Sequence, residues 1–162
     1  MIDTKKVADR RQLHFDALQE AIRDAEAIAA AEAERRLRAT GNWTPGQAIS
    51  HVAFWANAPF DGYPDTVKPP WLMRMAMRVI RGRVFTKGMP PGMRLPGAPG
   101  GTLGAESMPA DEAAAKLRAA FERLDEHCPE IVNPLFGPMT HAQWRQLNLR
   151  HAELHFSFFH PE

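Results

Sequence analysis

Two histidines stand four residues apart in "HAELHFSFFHP", residues 151–161, a segment otherwise rich in Leu and Phe. On a helix that spacing is about one turn, so His151 and His155 point the same way. A third histidine, His51, stands in "QAISHVAFW" on a face shared with Ala48 and Trp55. Imidazole nitrogen is a donor for transition metals, and three such donors leave positions open for water or substrate. Zinc or nickel suits an all-imidazole set. The protease motif H-E-x-x-H is absent, because Ala152 follows His151 and Glu153 turns off the histidine face. A zincin protease is therefore not expected. The same three residues also fit hydrogen-bonded core histidines, and the residues alone leave both readings open.

Helices must position these side chains. The first is expected to follow Asp16 as N-cap, with Gln19 at N3, and to run through the Ala-rich stretch to Arg38 before Gly41 stops it. Its inward stripe is Leu18, Ile22, Ala25 and Ala29. "TPGQ" opens the second, with Thr44 as N-cap, Pro45 at N1 and Gln47 at N3; Pro59 and Gly62 are expected to end it. A third opens at "PPWLMRMAMRVIRGRVF", with Trp71, Met75 and Val79 expected inward and Arg74, Arg78 and Arg81 on another face. A fourth carries Leu117, Phe121, Leu124 and Cys128 as an apolar stripe, acidic residues in its first turn, and Pro129 at its close. The last starts at "THAQ", another capping box, with Trp144, Leu147, His151, Leu154, His155 and Phe158 on one face. No strand alternation is convincing. An all-α bundle of about four main helices is the expected fold, over residues 1–162 as a single domain. Its long connection is Pro/Gly-rich, residues 88–107; within it, residues 88–104 hold six Gly and four Pro.

Bulk composition removes other classes. The chain has 162 residues, 44% apolar and 24% charged, with a net charge of +1. Those values fit an average globular domain and give no overall field for nucleic acid or membrane. Cys128 is the one cysteine, so an internal disulfide framework is excluded. The opening "MIDTKKVADRRQL" lacks the apolar stretch of a signal peptide, and no run approaches transmembrane length. A cytoplasmic placement is the expectation.

"WTPGQAISHVAFW", followed about a hundred residues later by "RHAELHFSFF", resembles the DinB/YfiT-like superfamily, most closely a branch known only as a domain of unknown function. "PLFGPMTHAQWRQLNLRHAELHFSFF" is the most specific part, and residues 43–57 and 134–160 carry the resemblance best. It implies an up-down-down-up four-helix bundle with a metal-binding histidine triad. Carried over by position, the triad is His51, His151 and His155. The resemblance also implies zinc or nickel and, in some members, a homodimer. Relatives include S-transferases that use low-molecular-weight thiols such as bacillithiol or mycothiol, and a maleylpyruvate isomerase. The long basic insert departs from the family pattern, and no acid–base residue stands out beside the triad.

The remaining features read more plainly. Trp43, Trp55, Trp71 and Trp144 are expected in the core or as cleft walls. His14, His127, His141 and His160 are expected at the surface or as caps. Between Thr66 and Ala105 lie seven Lys or Arg and no acidic residue. The arginine face of the third helix can meet a phosphate, a thiol cofactor's carboxylates or an anionic lipid, but a solvated face is the simpler reading. The expectation is a metal-dependent protein acting on a small molecule or thiol, as an S-transferase or hydrolase, without a nucleic-acid or membrane partner. The alternative is a non-enzymatic binding or stress-response bundle whose histidine site is empty or structural.

Overall fold

The computed structural model describes residues 2–92, 94 and 101–162. Much of the Pro/Gly-rich connection (residues 93 and 95–100) lies outside the described residues. The chain is mostly helical. In order it forms α1 (Leu18–Ala33), β1 (Leu37–Ala39), α2 (Pro45–Asp61), α3 (Trp71–Lys87), α4 (Ala110–Glu126), α5 (His141–Phe156) and β2 (Phe159–Pro161).

One main core takes its side chains from α1, α2, α4 and α5, among them Ile22, Ile28, Ile49, Val52, Leu117, Phe121, Leu124, Trp144 and Phe156. Burial of such side chains supplies the main favourable term in folding. Thr44 and Gln47 cap α2 reciprocally, and Thr140 and Gln143 cap α5, as their spacing predicts. A second, smaller core joins α3 to the chain before α5. It contains Met77, Val84, Phe85 and Phe136, with Leu147 of α5 packed against it.

Several sequence expectations are corrected. The N-cap of α1 is Ala17, and Glu20 at N3 accepts from the backbone N–H groups of Asp16 and Ala17. α1 ends at Ala33 rather than Arg38. Arg35 takes a left-handed backbone (φ 57°), and Arg36 N–H donates to the Ala31 carbonyl at 2.8 Å, closing the helix as a Schellman turn. The chain then forms β1, which pairs antiparallel with β2, Arg38 opposite His160. Tertiary pairing thus overrides helix propensity. α2 continues through Pro59 to Asp61 and stops at Gly62 (φ 96°).

On α3 the inward face is not the expected one. Trp71, Met75 and Val79 are exposed, and Met77, Val84 and Phe85 are buried. Cys128 lies beyond the end of α4 and is exposed, not part of its apolar stripe. Phe158 follows α5 and covers Gly41, beneath the Arg10 guanidinium. No helix among the described residues is long and apolar enough to cross a membrane.

Candidate metal centre

α2 and α5 bring His51, His151 and His155 together. One ring nitrogen from each lies within 4.8 Å of the others, although a hundred residues separate the two helices' contributions. His51 Nε2 and His151 Nε2 are 3.1 Å apart. The ring centroids of the three pairs are 4.6–4.9 Å apart. Two imidazole lone pairs at this range repel unless a proton or a cation lies between them. Around a tetrahedral ion with bonds of about 2.0–2.1 Å, nitrogen donors stand roughly 3.3 Å apart. The His51–His151 separation is close to that dimension, and the cluster's chemistry is the neutral nitrogen set that such ions prefer.

Residue spacing does not reveal what orients His51. Its Nδ1–H donates to the Leu103 carbonyl at 2.6 Å, and Thr102 Oγ1 lies 3.3 Å from the same nitrogen. A proton held on Nδ1 leaves the Nε2 lone pair facing the cluster. The end of the Pro/Gly-rich connection therefore supports the site. It is pinned there by Ser50, whose hydroxyl lies 3.2 Å from the carbonyls of Gly104 and Glu106. Gly104 has φ 75°, and a Cβ there would lie 2.4 Å from Phe54. A glycine is needed on both counts.

Aromatic rings wall the cluster. Trp43 stacks on His155, with centroids 5.1 Å apart and planes 9° apart, and meets His51 edge-on at 4.9 Å. Trp55 lies 6.3 Å from His51, also edge-on. Beyond it is Tyr63, whose phenol burial pushes above its usual range. Of the four tryptophans, Trp144 is in the core, Trp43 and Trp55 are wall residues, and Trp71 is exposed.

Burial keeps all three imidazoles neutral. It lowers the His51 pKa to about 4, against the opposing pull of the Leu103 hydrogen bond. His151 and His155 are also held well below the ordinary histidine value by burial, and next by the neighbouring imidazoles. Neutral imidazole is the form that binds a metal.

α5 is polar on a second side as well. Glu153, expected off the histidine face, is buried. Its Oε1 accepts from Phe15 N–H at 2.6 Å and lies 3.1 Å from Arg150. Arg150 in turn donates to the Phe15 carbonyl at 2.5 Å and to His14 Nδ1 at 2.7 Å. One ion pair thus satisfies both backbone groups of Phe15 and ties the segment before α1 to the helix that carries two of the histidines. His141 Nε2 meets the Leu124 carbonyl at 2.5 Å, and His127 and His160 lie outside the cluster.

Fold and site together define a mostly helical protein with a three-imidazole cluster between two helices. Residues 7–162 match the family described as protein of unknown function DUF1569, and the chain belongs to that family. No curated protein and no solved structure matches it.

Proposed function

We propose that this protein is a metal-dependent enzyme of DinB-like architecture, in which His51, His151 and His155 hold a zinc or nickel ion. The observation that carries the reading is the convergence of three neutral ring nitrogens within 4.8 Å, one of them oriented by the Leu103 carbonyl. A four-helix bundle of α1, α2, α4 and α5 is the matching reading of the fold. A divalent ion with three protein ligands and open positions lowers the pKa of a bound thiol or water and so supplies a nucleophile at neutral pH. S-transfer from a low-molecular-weight thiol, or hydrolysis, is the reaction class. The chain's own residues fix tautomer and neutrality, and Trp43 holds the plane of His155.

A second reading rests on the 3.1 Å His51–His151 separation, which an N–H···N hydrogen bond also fits. On that reading the cluster is a metal-free structural contact in a non-enzymatic binding protein. Elemental analysis of untagged protein separates the two. Near-stoichiometric zinc or nickel is expected, and it should vanish in His51→Ala and His155→Ala. No bound metal, together with no change in Tm on adding either ion, would overturn the metal reading and leave the structural contact.

A further inference from the structure

α3 presents an apolar strip to solvent. Val79 is 84% exposed, Trp71 69%, Leu72 65% and Met75 55%, in a helix whose other side is anchored by Met77, Val84 and Phe85. At 100° per residue these four share one sector of the helix. Arg74 and Arg78 border that sector on one side, and Arg83 and Lys87 border it on the other; all four cations are exposed. Among the described residues none of the four meets a carboxylate, and α3 itself has no acidic residue. Beside the strip, Lys68, Arg74 and Arg78 line an open cleft of about 350 Å³ with Val132, itself 58% exposed. Lys68 Nζ is 3.9 Å from Asp65, so that cation is partly answered.

We propose that α3 is a docking helix for an anionic phospholipid surface. Its apolar strip would enter the headgroup region, the bordering cations would meet phosphates, and the Lys68–Arg74–Arg78 cleft would take one headgroup. Two features select this occupant. A symmetric pairing of two copies would set each cationic border against its counterpart, a like-charge arrangement that disfavours self-association here. A partner protein would need a groove for a convex ridge with Trp71 and Val79 at its crest, whereas a lipid interface receives such a ridge without a matching shape. An apolar sector flanked by Lys and Arg, with Trp at its end, is the pattern of a helix lying in the interface plane. The weak net charge of the whole chain argues against a membrane only if charge is spread evenly; the charge that matters is local to α3 and its borders.

Cosedimentation of the full chain with vesicles is the test. Binding is expected to phosphatidylglycerol–phosphatidylcholine vesicles, not to phosphatidylcholine alone, and should fall with added salt. Arg74→Gln with Arg78→Gln should weaken it roughly twenty-fivefold, about fivefold for each arginine near an anionic surface. Trp71→Ser with Val79→Ser should weaken it as well. All four side chains are exposed, so these variants should keep the wild-type circular dichroism and metal content. Failure to bind anionic vesicles at low salt overturns the proposal. So does binding that both double variants retain. Heparin binding of equal strength that ignores Trp71→Ser with Val79→Ser would reduce the face to a general polyanion site and also overturn it. A dimer broken by Val79→Ser without any vesicle binding would assign the face to a second copy instead.

Discussion

Gly104 shows how one backbone position governs a distant donor atom. Its neighbour Leu103 fixes the His51 tautomer, and its own φ of 75° lets the connection turn against Phe54. A methyl group there meets Phe54 at 2.4 Å and strains a left-handed residue as well. Gly104→Ala should therefore destabilise the protein by roughly 1–3 kcal/mol. It should also weaken zinc about 10- to 100-fold, the usual cost of losing the outer hydrogen bond of a metal-bound histidine. Thermal unfolding measures the first effect and competition with a chromogenic chelator the second. Wild-type zinc affinity in a destabilised Gly104→Ala would show that Leu103 plays no part in holding the site. The triad itself is legible in the sequence because helical spacing and inward faces are local properties. Leu103 is not, because a carbonyl's role has no side-chain signature and its approach depends on how a long loop returns.

At the level of the elements, capping is the most readable feature. Thr44 with Gln47 and Thr140 with Gln143 occupy the positions their spacing implies, since an N-cap needs only four neighbouring residues. Ends decided by partners elsewhere are not readable. α1 gives way to β1 because β2, from the far end of the chain, pairs with residues 37–39. Glu153 turns off the histidine face as expected, yet it is buried because the segment around Phe15 closes over it. α3 misleads for a related reason: its Met residues lie on both sides, so the pattern offers two inward faces, and packing against Phe136 chooses the one with Val84 and Phe85. The end of α1 also gives a test. Arg35 occupies the left-handed C′ position of a Schellman turn, where glycine is free of the Cβ penalty. Its side chain is exposed, so Arg35→Gly removes no burial. The substitution should stabilise the fold by roughly 0.5–1 kcal/mol. Urea unfolding reads this directly, and a lower midpoint for the variant would mean that Arg35 contributes contacts outweighing its backbone strain.

For the whole molecule, the three histidines couple stability to pH, and a bound metal would couple to the same groups. In the metal-free fold His51 has a pKa of about 4, against 6.5 for an unperturbed side chain, and burial lowers His151 and His155 in the same direction. Between those values the unfolded chain binds protons that the folded chain excludes, so unfolding gains as pH falls. The stability tied to neutral histidines is thus fully present above about pH 6.5 and is lost progressively toward pH 4. For His51 alone the loss is roughly 3 kcal/mol, since each pH unit between the unfolded and folded values is worth about 1.4 kcal/mol. Bound zinc would oppose the loss, because protons would have to displace the ion before the imidazoles charge. On the metal-site reading, excess zinc at a hundred times its dissociation constant would add about 2.7 kcal/mol at neutral pH. Tm measured from pH 7.5 to 4.5 should therefore fall in the chelator-treated protein from about pH 6.5, while the zinc-loaded protein holds level further and then drops more steeply. Carboxylates titrate at the acid end of this range, so the informative comparison is with His51→Leu, His155→Leu protein, whose Tm should fall less between pH 6.5 and 5. Equal slopes in the two proteins would mean that the cluster is hydrated enough to protonate in place, and that burial does not hold these imidazoles ready for a metal.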